Sequence, residues 1–263
     1  LGFSLEAAAA VAVLHILNHA AFKAALFMSA GIVDHETGTR DIRRLGGLAK
    51  VMPVTATLAT LAAAAMAGLP PLGGFISKEL MLGETLEVGL FGLPWLVPVV
   101  ATIAATLSVA YSLRFALFLF FGQARDPEPH ARAHDPGGGM WLPAALLVLI
   151  AVLLGLIPGL LAGSLVASVS AAVVGGAAPY VGLYLWHGIN PALGMSVLAV
   201  AIGLIVLWRY APILRRYEAV RHLDAKTMFE SALGRINRAV RRLTVAIHAP
   251  SLQRMLMLVA AVM

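Results

Sequence analysis

The chain has no cysteine and few charged residues. The lack of cysteine excludes disulfides and thiolate metal sites. Charged residues make up 12% of the 263 residues, whereas a typical soluble domain has about 25%. Apolar residues fill the chain instead: 60% of it is hydrophobic, and the mean hydropathy is +0.88. Because backbone polar groups in lipid must be paired internally, this composition predicts an all-α polytopic membrane protein.

Long apolar runs divide the chain into predicted membrane spans. A helix needs about 20 residues to cross the hydrocarbon core. The predicted transmembrane region, 1–210, has five spans, at about 5–33, 50–86 (broken), 94–121, 141–156 and 192–210. Residues 211–250 are a predicted connector, and 251–263 are the start of a truncated further span. Since the chain begins on Leu1 and ends at Met263 inside an apolar run, we expect a fragment of a larger protein.

Among the connections between the spans, only alternate ones carry lysine or arginine. Loops 34–50 and 122–140 carry basic residues and the stretch 209–242 carries most of the others, whereas connections 81–93 and 158–190 carry none. By the positive-inside rule, the basic loops face the cytoplasm, and we expect a multi-pass protein of a bacterial-type inner membrane. The net charge of +6 follows from this topology, and no nucleic-acid partner is predicted.

A basic amphipathic pattern covers the later part of the connector, about 225–248. Its arginines recur on one helical face and its apolar residues on another; they are Arg235, Arg238, Arg241 and Arg242, and Phe229, Leu233, Ile236, Val240 and Leu243. One interpretation is a helix along the cytoplasmic surface, against anionic headgroups or neighbouring subunits. The other is an ordinary connector with a solvated charged face.

A Gly/Pro-rich break interrupts the second span just before two charged residues. The break residues are Gly68, Pro70, Pro71, Gly73 and Gly74. The prolines remove backbone donors, and freed carbonyls at membrane depth are tolerated only against protein or a water-filled cavity.

Lys78 and Glu79 follow this break directly. Charged residues in membrane spans are costly and mark functional sites, and broken helices form the ion and substrate sites of secondary transporters. The pattern therefore predicts a transport element in which Lys78 carries the proton and Glu79 is its neighbour. The alternative is a half-helix near the membrane surface, with both side chains in water.

His15, His19 and Lys23 share one face of the first span. Their i, i+4, i+8 spacing places them within about 80° of one another. Because imidazole titrates near physiological pH, this stripe predicts a proton path. The alternatives are histidines that hydrogen-bond between helices and a snorkelling Lys23. The His-x3-His spacing has no third ligand nearby in sequence, so no metal and no cofactor are predicted.

Two sequence blocks resemble a known family. The block HILNHAAFKAALF at 15–27 resembles a motif of the antiporter-like subunits shared by respiratory complex I and Mrp-type cation/proton antiporters. The segment 68–79 resembles the broken, charged helix of the same family. The loop 32–48 is similar to that of the large A subunits of Mrp-type multisubunit Na⁺/H⁺ antiporters, rather than to that of their complex I relatives.

This resemblance implies the second half of an inverted-repeat fold with a broken helix at 68–75. It implies a proton path through His15, His19, Lys23 and Lys78, with Glu79 beside it. The implied function is that of a subunit of a multisubunit monovalent cation (Na⁺)/H⁺ antiporter, a secondary transporter and not an enzyme. Its implied partners are the other subunits, H⁺, Na⁺ and the lipid bilayer. The alternative is a proton-pumping subunit of a complex I-type NADH:quinone oxidoreductase, and a third interpretation is a scaffold subunit that conducts nothing.

Overall fold

The computed structural model describes residues 5–176, 181–219, 225–247 and 252–263, which form helices with no β-strand among them. One compact unit, Leu1–Arg209, contains α1 (Leu5–Thr37), a 3₁₀ turn (Leu48–Lys50), α2 (Pro53–Ala67), α3 (Gly73–Leu86), α4 (Leu96–Phe120), α5 (Pro127–Arg132), α6 (Gly138–Leu156), α7 (Pro158–Val174) and α8 (Pro191–Trp208). A second unit, Tyr210–Met263, contains α9 (Tyr210–Ala219), α10 (Ala225–Ile247) and α11 (Leu252–Val262). The predicted connector and further span fall partly on 220–224 and 248–251, which lie outside the described residues.

Four helices of the first unit are long and apolar enough to cross a membrane: Ala7–Thr37, Leu96–Phe120, Gly138–Leu156 and Pro191–Trp208. Large apolar side chains also cover much of the outer surface of the unit, among them Ile103, Leu107, Leu146, Leu149 and Val197. A soluble protein rarely exposes so many together, because apolar surface in water is unfavourable. The surface is that of a membrane protein.

Helix α1 packs against α2, α3, α6 and α7, which places it at the centre of the first unit. Small side chains make these contacts close. On α2, Ala59, Ala62 and Ala63 are completely buried. Helix pairs in membranes gain most from van der Waals packing, so alanines that let backbones approach hold this bundle together.

The basic loops 34–50 and 122–140 meet at one end of the bundle. Arg44 Nη2 lies 2.6 Å from Asp126 Oδ2, and this guanidinium holds the pKa of the Asp126 carboxyl below its usual range, mainly by hydrogen bonding. Nearby, hydrogen bonds from Arg43 lower the pKa of Asp41 to about 2. Both carboxylates are therefore charged at neutral pH and keep the basic residues of these loops paired.

The connection between α4 and α6 is more regular than the sequence predicted. Instead of a loop up to the 141–156 span, it contains α5, and α6 begins at Gly138. The side chain of Asp126 caps α5 by accepting from the Glu128 amide, and Pro127 occupies the first turn. Asp135, at the end of this connection, caps α2 from a distance in sequence by accepting from the amides of Val54 (2.8 Å) and Thr55 (3.0 Å). Capping by Asp126 therefore makes part of this connection helical, although its prolines and glycines favour a loop.

Helix α10 covers most of the predicted amphipathic stretch. Its apolar stripe is exposed in the structure, with Phe229, Leu233 and Ile236 at 43% or more of full exposure. Lys226 and Glu230 form an i, i+4 pair at 3.9 Å on its surface. The placement of this helix along a membrane surface stays a prediction.

Candidate functional site: the helix break and its charged neighbours

Helix α2 ends at Ala67 and α3 begins at Gly73, so the chain between them is not helical. Gly68 turns the chain with a φ of 79°, a conformation that favours glycine. Two further glycines allow backbone contact around the break. A Cβ at Gly74 would lie 1.8 Å from the Ala65 carbonyl oxygen, and one at Gly155 would lie 1.9 Å from the Pro71 oxygen. The break is therefore packed tightly between α2 and α6.

Lys78 reaches back from α3 to the end of α2. Its Nζ donates to the carbonyl oxygens of Met66 (3.2 Å) and Ala67 (2.8 Å). These carbonyls belong to the last turn of α2, where the helix leaves acceptors unpaired. A cation is favoured at this end by the helix dipole. The break thus creates the acceptor site for the Lys78 ammonium.

His15 of α1 contacts Ser77 of α3, the residue just before Lys78. Its Nδ1 lies 3.2 Å from the Ser77 hydroxyl, and its ring centroid lies 6.0 Å from that of His19. His15 is partly buried, whereas His19 is exposed on the surface of the chain. Of the two predicted histidines, His15 therefore reaches α3, whereas the ring of His19 lies against those of His15 and Phe22.

Asn18, between these histidines, is completely buried against the start of α3. Its Nδ2 donates to the Leu14 carbonyl at 3.1 Å, while its Oδ1 has no hydrogen-bond partner among the described residues. A Cβ at Gly73 would lie 2.0 Å from this oxygen. Gly73 therefore leaves space for the amide of Asn18, in addition to starting the helix.

Lys23 lies near Met66, the residue whose carbonyl accepts from Lys78. Its Nζ is 5.5 Å from the ring centroid of Tyr111 and 5.7 Å from that of Phe27, within the range of cation–π attraction. Lys23, Met66 and Tyr111 line a cavity of about 200 Å³. Since the Met66 carbonyl accepts from Lys78, a single residue of α2 contacts the surroundings of both lysines.

Glu79 has partners of its own, in the segment that precedes α8. The residue is 3% exposed. Its Oε1 accepts from Asn190 Nδ2 at 3.1 Å, and its Oε2 lies 3.8 Å from His187 Nδ1. Lys78 and Glu79 are neighbours in sequence, but they contact different parts of the bundle.

His187 and Asn190 are the residues that the sequence interpretation missed. Asn190 precedes Pro191, and this pair is a helix-start signal; its Oδ1 accepts from the Leu193 amide at 2.7 Å. That signal could have identified Asn190 as the cap of α8, but it could not have identified the hydrogen bond from Asn190 to Glu79. Asn190 and Glu79 are 111 positions apart in the chain, and only the packing of α3 against α8 brings them together.

Comparison with known proteins agrees with the motifs. Residues 1–108 match the family model described as NADH:quinone oxidoreductase/Mrp antiporter, TM. The chain is 46% identical over 231 residues to a probable K⁺/H⁺ antiporter A/B subunit of Rhizobium meliloti (strain 1021), covering 86% of this chain and 23% of that protein. It is 39% identical over 209 residues to the Na⁺/H⁺ antiporter A subunit of Bacillus subtilis (strain 168), covering 75% and 26%. The chain thus spans about a quarter of the length of these curated relatives.

Solved structures give the same assignment. The fold matches a chain of the Mrp complex from Dietzia sp. DQ12-45-1b with a TM-score of 0.76 and 34% identity, over 98% of this chain and 27% of that one. A chain of the membrane-bound sulfane sulfur reductase, an archaeal respiratory membrane complex, has a TM-score of 0.59 at 19% identity over 100% of this chain and 48% of its own, and shares the fold. The resemblance predicted from the sequence is confirmed: residues 1–108 match the NADH:quinone oxidoreductase/Mrp antiporter transmembrane family, and the relatives that the chain resembles are antiporter A or A/B subunits.

Proposed function

We propose that this chain is part of a subunit of a multisubunit monovalent cation/H⁺ antiporter and supplies part of its transmembrane proton path. The observation that carries the proposal is the position of Lys78. Its ammonium is held at a helix break by the carbonyls of Met66 and Ala67. Among the described residues, no salt bridge joins Lys78 to a carboxylate. A proton carrier must lose and regain its proton. When an ammonium is bound by neutral carbonyls, its deprotonation leaves no partner carboxylate buried without a counter-charge.

Two contacts support a path through Lys78. On one side, the hydrogen bond between His15 and Ser77 places an imidazole next to the start of α3. On the other, Met66, whose carbonyl accepts from Lys78, lines the same cavity as Lys23. Water in this cavity would carry protons between Lys23 and the vicinity of Lys78, and imidazole would pass protons between its two nitrogens.

In this proposal, His19 belongs to the proton path only when another part of the protein or another subunit covers it. It is exposed on α1, and a polar side chain at membrane depth needs a protein or water neighbour. We propose that other parts of the same protein, or other subunits, cover this face of α1. The partners would then be the remaining subunits, the lipid bilayer and the exchanged ions.

We propose the class of the exchanged cation and not its identity. The names of the relatives specify K⁺ in one case and Na⁺ in the others, so we propose a monovalent cation, with Na⁺ tested first and K⁺ second. The basic loops would face the cytoplasm of a bacterial-type cell. The alternative, a complex I-type proton pump, has support from the family model, but the names of the relatives favour the antiporter.

Exchange measured in everted vesicles that carry the full-length protein with its partner subunits tests the proposal. We expect Lys78→Ala to abolish the cation-dependent dissipation of a pH gradient, while native gels show normal assembly. Lys50→Ala, which removes an exposed lysine near the start of α2, is the matched control and should exchange like the unmodified complex. If exchange persists in Lys78→Ala, the break has an architectural role and the scaffold interpretation is correct.

A further inference from the structure

The segment 181–190 positions a histidine that the proposed path does not use. His187 Nε2 lies 2.9 Å from the carbonyl oxygen of Gly182. A carbonyl only accepts, so Nε2 is the protonated nitrogen, and in the neutral ring Nδ1 carries the lone pair. This Nδ1 is buried and has no hydrogen-bond partner within the part of the chain that the structure describes. The backbone therefore fixes the tautomer of His187 and leaves one proton acceptor free.

That acceptor faces Glu79. The Oε2 atom of Glu79 lies 3.8 Å from His187 Nδ1, while its Oε1 is held by Asn190, the cap of α8. The carboxyl group is thus oriented by one oxygen and free at the other. A distance of 3.8 Å is too long for a direct hydrogen bond, but one bridging water or a movement of about 1 Å would close it.

Few other charges surround this pair. The elements packed against α3 are α1, α2, α4, α6 and α8. Helices α2, α6 and α8 contain no charged side chain. On α4, the charged residue is Arg114. On α3 itself, Lys78 points to the end of α2 and Glu84 lies more than one turn after Glu79; on α1, His15 contacts Ser77. Within the described residues, His187 is the only group in ion-pairing distance of Glu79.

We propose that Glu79 and His187 form a proton-transfer pair that connects the proton path to the side of the membrane opposite the basic loops. The inference rests on the proposed function, and it adds a residue to the path. The segment 181–190 lies in a connection without lysine or arginine, which the charge rule places on that side.

The transfer needs no further reactant. Protonated Glu79 gives the hydrogen of its carboxyl group to His187 Nδ1, leaving a carboxylate that Asn190 stabilises and an imidazolium with both nitrogens protonated. The His187 side chain is 21% exposed, so a rotation of the imidazolium would carry its buried Nδ1 to water. There it releases the Nδ1 proton and returns to the neutral tautomer.

Two substitutions separate proton transfer from a structural role. His187→Gln keeps an amide that can donate to the Gly182 carbonyl but removes the titratable nitrogen. Glu79→Gln keeps an oxygen that accepts from Asn190 but cannot lose a proton. His130→Gln, in α5 at the other end of the bundle, is the matched control. His187→Asn, with an amide at the level of Nδ1, is a second variant in case His187→Gln does not assemble.

The measurement is the exchange rate of the assembled complex in everted vesicles between pH 6 and 9, with native gels as the assembly check. We expect His187→Gln to lower the rate by at least about tenfold, because positioned proton transfer typically contributes that much or more. The acidic limb of its pH profile should also flatten. Since the two groups act as a unit, Glu79→Gln should have a similar effect, and the double variant should be no slower than either.

Other outcomes overturn the inference. If His187→Gln exchanges at the unmodified rate with an unchanged pH profile, His187 only fastens the segment 181–190 to α3. If neither His187 variant assembles, the role is structural as well. These results leave the proposed function intact wherever exchange still depends on Lys78, whereas an unmodified complex that exchanges no cation contradicts the proposed function itself.

Discussion

At the scale of single residues, the two adjacent charges have different partners. Neighbouring positions on a helix point about 100° apart. Accordingly, Lys78 contacts the end of α2, whereas Glu79 contacts Asn190, the cap of α8. A lysine bound to carbonyls can act as a proton carrier or as a fixed positive charge that influences protons elsewhere. These two roles predict different results for one substitution.

Lys78→Arg separates them. Arginine keeps the positive charge but does not release its proton in proteins. If Lys78 carries protons, exchange should be lost, as in Lys78→Ala, while assembly remains normal. If Lys78 acts by its charge alone, Lys78→Arg should retain most of the exchange that Lys78→Ala loses. Dissipation of the pH gradient in everted vesicles is the measurement, and Lys50→Arg is the control for an added guanidinium.

At the scale of elements, the sequence predicted an all-helical membrane protein, because length and hydropathy are local properties; the five spans and their bounds stay predictions. It did not predict α5, because the capping by Asp126 outweighed the loop signal of the prolines. Nor could it predict the contact of Gly155 with Pro71, or that of Glu79 with His187. These contacts join residues far apart in sequence, and they depend on how closely the helices pack.

The glycine contact at the break gives a prediction about stability. In Gly155→Ala, the added methyl group would meet the Pro71 carbonyl, a backbone atom that cannot move aside cheaply. We expect a loss of about 1–3 kcal/mol, typical of overpacking, seen as a lower melting temperature of the assembled complex in detergent. Gly163→Ala in α7 is the matched control, because no atom lies within 4 Å of its added Cβ. Equal melting temperatures for the two variants would show that the break tolerates a wider separation from α6.

At the scale of the whole molecule, the first unit has two chemically different ends. The basic loops meet at one end, where Arg44 pairs with Asp126 and Asp135 caps α2. The segment with His187 and the start of α8 carry no basic residue other than histidine. A proton path between these ends needs a defined orientation, and the positive-inside rule gives one: the basic end in the cytoplasm.

The absence of cysteine makes this orientation measurable. A cysteine introduced by Ala131→Cys, in the exposed part of loop 122–140, or by Ile189→Cys, 94% exposed before α8, is unique in this chain. With a membrane-impermeant maleimide, Ala131→Cys should be labelled in everted vesicles and Ile189→Cys in right-side-out vesicles, with the unmodified complex as background. The reverse pattern would place the basic loops outside, and the Glu79–His187 pair would then open to the cytoplasm. Labelling of both positions from the same side would contradict the predicted topology, in which the 141–156 span is the one crossing between them.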